Sequence, residues 1–340
     1  MTKRRSLAAL CGGGALLAAA CVAGVLIGPY PVSAGAVGES FASHLPFLGV
    51  HSPLDATQNA IVYDLRLPRI VLGLIVGGTL SLAGAAYQGV FRNPLADPYL
   101  LGVSAGAGLG ATLAIGYGSA TAASSLLLPG AAFVGATVSV AITYAIGRAG
   151  GTGAASLILA GVTVAAFLTA LETFFQQQRT ESIRDVYTWL LGQLETAGWR
   201  EVLIVLPYAL VAWVVILTHR RLIDVLRVGD EETAALGVNV DRLRLIVVVA
   251  ATVGTAAAVA VSGLIGFVGI IVPHAIRLVF GPSYRLLLPL SLLVGGGFLV
   301  FADLLARTIL APSELPIGVV TAFFGAPFFA LVMRTSRSFR

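Results

Sequence analysis

The ionisable residues are few, and their types and spacing exclude the common catalytic machineries. Lys3 is the only lysine among 340 residues, so the Gly-Lys-Ser/Thr core of a phosphate-binding loop cannot occur. The four histidines form no His-Glu-x-x-His zinc motif, and Cys11 and Cys21 lie in one apolar run without zinc-ligand spacing. We therefore predict no metal site and no catalytic residue in this chain, and any ATP hydrolysis would take place on another subunit.

One charged segment, residues 219–244, has the signals of a short exposed helix. Asp230 is a good N-cap residue, and Glu231 and Glu232 follow in the first turn, where the helix dipole favours acids. Gly237 then supplies a helix stop.

Two interpretations of this segment are open from these residues. It is either a capped connector between two spans or a docking element for a soluble partner. In the second case its small apolar tip, Ala234-Ala235-Leu236, would insert into a groove of that partner.

The rest of the chain is apolar. Hydrophobic residues make up 57% of it and charged residues 11%, and the mean hydropathy is +0.93. Uninterrupted apolar runs predict an all-α polytopic membrane protein with about ten spans, in one domain covering residues 1–340. The runs lie at 7–27, 70–90, 99–117, 128–147, 154–175, 202–218, 245–261, 264–280, 286–306 and 315–333. Gly and Pro within 264–280 predict a broken helix there.

The charges predict the orientation. With the N-terminus inside, 15 of the 21 basic residues fall on the cytoplasmic side and 10 of the 16 acids outside, so both termini are expected in the cytoplasm. The six outer basic residues are Arg66, Arg69, Arg179, Arg184, Arg200 and Arg307. Basic residues dispersed at span ends favour membrane topology over nucleic-acid binding, despite the net charge of +5.

Small and polar residues inside the spans are expected to be structural. The pairs Gly73/Gly77 and Gly106/Gly110 have small-xxx-small spacing and predict helix packing within one subunit. His274 is expected to be a structural hydrogen bonder rather than a metal ligand. An acid at the outer end of the fifth span, Glu172, either lines a path or reaches the interface.

A set of short motifs follows in order between Arg66 and Met333. The motifs are Arg66-Leu67-Pro68-Arg69, Asn93-Pro94-Leu95-Ala96-Asp97-Pro98, Leu101-Gly102-Val103-Ser104-Ala105-Gly106-Ala107, Leu159-Ala160-Gly161-Val162, Gly266-Phe267-Val268-Gly269, Pro273-His274-Ala275-Ile276-Arg277, Glu314-Leu315-Pro316-Ile317-Gly318 and Gly325-Ala326-Pro327. This set resembles the FecCD family of ABC importer permeases, whose members import vitamin B12, haem and ferric siderophores.

The resemblance implies a type II ABC importer permease fold. It implies a ten-helix subunit that pairs with a second copy or a homologue, two cytoplasmic ATPase subunits that bind ATP and magnesium, and an extracytoplasmic substrate-binding protein. No cofactor would be bound by this chain, which would lie among the lipids of a bacterial or archaeal cytoplasmic membrane. A ferric siderophore is the first expected substrate, with cobalamin or haem as alternatives.

The resemblance also assigns roles to residues. Arg66, Arg69 and Arg307 match arginines that pair with glutamates of the binding protein, and an arginine fork suits a carboxylate. Asp64 and Asp303 are the alternative, internal partners.

Two further roles concern the inner side. Asn93 and Leu95 match the inner gate of the path. The stretch from Asp230 to Gly237 occupies the position of the coupling helix that seats in the ATPase, which favours the docking interpretation of 219–244 over a bare connector.

Overall fold

The computed structural model describes residues 3–44, 47, 51–118, 126–150, 154–195 and 198–336, so the predicted inner residues Arg337 and Arg340 lie outside the described residues. The described residues contain no strand and include ten long helices. These helices are α1 Lys3–Leu26, α2 Ala56–Val90, α3 Val103–Tyr117, α4 Leu127–Ala149, α5 Ala154–Gln178, α6 Trp199–Thr218, α7 Val240–Ser262, α8 Val268–Phe280, α9 Tyr284–Ala306 and α10 Ile317–Ser336.

Each of the ten predicted spans corresponds to one of these helices, which confirms the predicted fold class. Seven of them are long and apolar enough to cross a membrane. The apolar parts of the other three, α3, α8 and α10, are shorter. Shorter helices in the connections include Ala34–Ser43, Ile183–Leu190, Arg220–Val225 and Asp230–Ala235.

Helix α2 lies at the centre of the bundle and packs against α6, α7, α8 and α9. Between Ile70 and Ala86 its residues are apolar or small all round, as a helix packed on every side requires. The backbones of α2 and α9 touch at Gly77, where an added Cβ would collide with the carbonyl oxygen of Gly295. Gly106 and Gly110 of α3 likewise meet α4 at Gly135 and Ala131. The predicted packing role of these glycine pairs is confirmed.

Helix α2 starts at Ala56, fourteen residues before the predicted span at 70–90, so the predicted start of this span is wrong. The chain is helical throughout this region, and its turns widen to a π-helix over Ile61–Arg66. Pro68 has no N–H, and its ring would clash with the carbonyl four residues earlier in a regular α-helix; a wider turn accommodates it. Arg66 and Arg69 consequently project from a helix rather than from a loop.

The predicted break in the eighth span is confirmed. Residues 263–267 are non-helical, and α8 begins at Val268 after Phe267, which has a φ of 68°. Irregular backbone inside a membrane protein needs internal hydrogen-bond partners. The Ile265 N–H donates to the Tyr99 hydroxyl oxygen at 3.2 Å, and that hydroxyl donates to the Ile265 carbonyl at 3.1 Å.

Candidate functional site

Charged residues gather in two groups, one at each end of the bundle. Arg92 and Arg244 meet Asp230 at one end. Arg69 and Arg307 meet Asp303 at the other end. Along α2, the 21 residues that follow Arg69, up to Val90, correspond to a rise of about 32 Å, close to the thickness of the hydrocarbon core. We call the first group the coupling end and the second the outer end.

The predicted gate residues lie in a tight loop after α2. Asn93 closes an Asx turn, because its side-chain oxygen accepts from the Leu95 N–H at 2.9 Å and its carbonyl accepts from the Ala96 N–H at 3.0 Å. The Leu95 side chain is 45% exposed. The loop is therefore internally rigid, and it presents one apolar side chain to the space beside the bundle.

Asp97 ends this gate loop. Its carboxylate accepts from the Tyr99 N–H at 2.8 Å and caps the short 3-10 helix Pro98–Leu101. Burial raises the pKa of the Asp97 carboxyl to about 6, and the hydrogen bond from Tyr99 offsets only part of that rise.

The predicted coupling helix is present as Asp230–Ala235. Its N-cap is Gly229, which has a φ of 131°. The prediction that Asp230 is the N-cap is therefore wrong, because the Asp230 carboxylate pairs with arginines instead of capping the helix. Gly237 has a φ of 82°, and a left-handed residue there ends the helix as predicted. Leu236 is 69% exposed at the tip.

Asp230 joins the coupling helix to the gate loop. One carboxylate oxygen lies 3.2 Å from Arg92 Nη2, and the other lies 3.2 Å from Arg244 Nη2. Arg244 is nearly fully buried, and its Nε donates to the Val90 carbonyl at the end of α2 at 3.3 Å. The first residue of the Asp230–Ala235 helix is therefore in direct contact with Arg92, the residue that precedes Asn93.

The sequence interpretation counted Arg92 and Arg244 only as topology charges. Arg244 carried a signal, since it shares a helix face with Val240, Leu243 and Val247 at helical spacing. An arginine on an apolar face requires a buried partner. Nothing in the sequence indicates that this partner is Asp230.

At the outer end, Arg69 holds two carboxylates at once. Its Nε and Nη2 donate to Asp303 at 2.9 and 2.8 Å, and its Nη1 and Nη2 donate to Glu314 at 3.1 and 2.7 Å. The cluster borders a cavity of about 120 Å³ that Glu195 and Gln193 also line. Of the two acids considered as internal partners, Asp303 is one, and among the described residues Asp64 forms no ion pair.

The other two predicted docking arginines are also bonded inside the chain. Arg66 Nη1 donates to the Val25 carbonyl at 2.6 Å, and its Nη2 donates to the Tyr30 carbonyl. Arg307 Nη2 donates to the Gly24 carbonyl at 2.5 Å. Both are about 95% buried, so these arginines fasten the end of α1 to α2 and α9.

The structure also shows the surroundings of two polar residues inside the spans, His274 and Glu172. Both ring nitrogens of His274 are buried and have no hydrogen-bond partner among the described residues, so its hydrogen-bonding role stays a prediction. Glu172 lies buried against Gly108 of α3 and accepts from Gln176 at 3.0 Å, instead of reaching the interface.

The chain is similar over nearly its whole length to known transport proteins. Residues 16–335 match the FecCD transport family. The cobalamin import system permease protein BtuC of Halobacterium salinarum is 40% identical, over 97% of this chain and 96% of its own length. The Fe(3+)-citrate import system permease protein YfmD of Bacillus subtilis is 37% identical, over 91% of each chain.

Solved structures share the fold. A metal-chelate type ABC transporter in an inward-facing conformation superimposes with a TM-score of 0.84 at 30% identity, covering 96% of this chain and 98% of the other. PsaBC from Streptococcus pneumoniae, solved in complex with Fab, has a TM-score of 0.56 at 15% identity, covering 81% of this chain and 93% of the other, and shows the fold alone.

Proposed function

The chain belongs to the FecCD transport family, and we propose that it is the permease subunit of an ATP-driven importer that carries a ferric siderophore or a related metal chelate into the cytoplasm. The support is the similarity to the Fe(3+)-citrate permease and to the metal-chelate type transporter. The permease itself would catalyse no covalent reaction and would bind no cofactor.

Cobalamin is the second candidate substrate. The relative from Halobacterium salinarum, named as a cobalamin permease, is 40% identical over nearly the whole chain. Parallel uptake assays with a radiolabelled ferric chelate and with radiolabelled cyanocobalamin distinguish the two: uptake of the chelate alone favours the chelate, and uptake of cyanocobalamin alone favours cobalamin.

The proposed assembly contains a single-domain permease paired with a second copy or a homologue, two ATPase subunits and a binding protein. The coupling end faces the cytoplasm in this proposal, which places both termini there. The excess of basic residues at that end supports the assignment.

The observation that carries the mechanism is the contact of Asp230 with Arg92. The Asp230–Ala235 helix, with Glu231, Glu232 and the apolar tip Ala234-Ala235-Leu236 before Gly237, would seat in an ATPase groove. When ATP binding moves the ATPase subunits, the helix would follow, and Asp230 would pull the gate loop through Arg92. Asn93 and Leu95 would then open or close the path.

Docking of the binding protein at Arg66, Arg69 and Arg307 stays a prediction. In this proposal the exposed part of the outer-end cluster receives the partner. Arg69 would exchange Glu314, whose side chain is one quarter exposed, for a carboxylate of the binding protein, while Asp303 would hold Arg69 in place.

Co-purification of the ATPase tests the coupling-helix proposal. Leu236→Asp introduces a charge at the exposed tip and should abolish recruitment of a co-expressed ATPase. Leu65→Asp is the matched control, because Leu65 is similarly exposed, at 60%, but lies toward the outer end. If the Leu236→Asp variant still recruited the ATPase fully, the proposal that the Asp230–Ala235 helix seats in the ATPase would be refuted.

A further inference from the structure

A groove runs along the outside of the bundle between α1, α8 and α9. Its wider part has a volume of about 1000 Å³. A second cavity of about 610 Å³ continues along α1 and α9, and Phe280 borders both. The groove therefore begins at the coupling end and extends toward the middle of the bundle.

The walls of the groove are apolar. Leu7 and Leu10 of α1 line its wider part, and Gly12 and Leu16 continue the same wall in the second cavity. From Arg4 to Leu16, α1 rises by about 18 Å. This length is slightly more than half of the roughly 30 Å hydrocarbon core, so the groove has the depth of one membrane leaflet.

The mouth of the groove is basic. Arg4 lies in the first turn of α1, Arg220 begins the Arg220–Val225 helix and Arg285 lies in the first turn of α9. Arg5 lines the second cavity. In the part of the chain that the structure describes, no ion pair joins Arg4, Arg5 or Arg220 to a carboxylate.

The one acid in the groove lining is already engaged. Asp224 accepts from the Ser283 hydroxyl at 3.0 Å and from the Tyr284 N–H at 2.9 Å, and it lies 3.6 Å from both Arg227 and Arg285. The mouth therefore keeps a surplus of positive charge above an apolar wall.

We propose that this groove is a binding site for one anionic phospholipid, with its phosphate between Arg4, Arg220 and Arg285 and one acyl chain along α1. Basic pockets at the end of apolar furrows between spanning helices suit an anionic headgroup, and a neutral lipid lacks the complementary charge. Placement in the cytoplasmic leaflet rests on the proposed orientation, whereas the binding itself does not.

Native mass spectrometry of the full-length chain in detergent tests the proposal. Phosphatidylglycerol and phosphatidylcholine with identical acyl chains are added in parallel. Phosphatidylglycerol should be retained as a one-to-one adduct, and the Arg4→Ala/Arg220→Ala variant should lose roughly tenfold in its retention. The variant Arg221→Ala/Arg242→Ala removes the same charge from residues that do not line the groove, and it should keep the adduct.

A second pair of variants tests the acyl furrow without changing any charge. Gly12→Phe fills the second cavity and should reduce retention. Gly14 lies on another face of α1 and has equally open space around it, so Gly14→Phe should leave the retention of the lipid unchanged. Equal retention of the two lipids, or equal losses in the paired variants, would overturn the proposal. None of these results depends on transport, so they do not bear on the proposed function.

Discussion

Asp230 is the shared ion-pair partner of two arginines that lie on different elements. Arg92 belongs to the gate loop, and Arg244 belongs to the first turns of α7. The pair with Arg92 is about half exposed and is worth roughly 0.2–1 kcal/mol by itself. The contact with Arg244 involves a buried guanidinium, which is costly to leave without its carboxylate.

A double-mutant cycle tests the link between the coupling helix and the gate. Arg92→Ala and Asp230→Ala should each lower the substrate imported per ATP hydrolysed, by roughly two- to fivefold. Asp230→Ala should cost more, because it also removes the nearer of the two carboxylates beside Arg244, which then keeps only Asp241 at 3.7 Å. The double variant should be no worse than Asp230→Ala. Glu231→Ala, which removes an exposed acid one residue away, is the control and should behave as the wild type. Additive losses in the double variant would mean that the two residues act independently.

Asp97 predicts a dependence of stability on pH. The pKa of Asp97 in the folded protein, about 6, lies above its ordinary value, so the folded chain binds this proton more tightly than the unfolded chain does. The contribution of Asp97 to the free energy of unfolding therefore falls as the pH rises from its ordinary pKa through 6. Asp97→Asn keeps an acceptor for the Tyr99 N–H and never carries the charge. The variant should therefore unfold at a higher temperature than the wild type near pH 7.5, and the difference should shrink near pH 5. A difference that grows toward low pH would contradict the assignment.

At the scale of elements, the central helix α2 depends on backbone contact with its neighbours. Gly77→Ala places a Cβ against the carbonyl of Gly295 on α9, and the two helices must separate to accept it. We expect a loss of about 1–3 kcal/mol, visible as a lower unfolding temperature. Gly14→Ala on α1 is the control: no atom lies within 4 Å of its added Cβ, and alanine favours the helix. Equal stability of the two variants would refute the close contact.

The elements that the sequence predicts well are those that the lipid environment dictates. Apolar runs must become helices in a membrane, which is why ten spans and the break before Val268 could be predicted. The start of α2 at Ala56 could not be predicted, because proline normally ends a helix and here the widened turn over Ile61–Arg66, just before Pro68, keeps the helix intact. Asp303 is open from the sequence as an internal partner of the outer arginines, but Glu314 is not, since it lies 245 residues from Arg69 and meets it only in the packed bundle.

At the scale of the whole molecule, the two charged ends are connected by one buried helix. Arg69, in the first half of α2, is held by the outer-end acids, and the Val90 carbonyl at the end of α2 accepts from Arg244. This arrangement suits a permease in which a binding protein acts on one end and an ATPase on the other.

The most direct test is uptake by proteoliposomes that contain the permease, its ATPase and its binding protein. With a radiolabelled ferric chelate outside and ATP at the ATPase face, uptake should require ATP hydrolysis, should be lost in Leu236→Asp and should persist in Leu65→Asp. Uptake that proceeds without ATP on an ion gradient, or at the full rate in Leu236→Asp, would contradict an ATP-driven permease coupled through the Asp230–Ala235 helix.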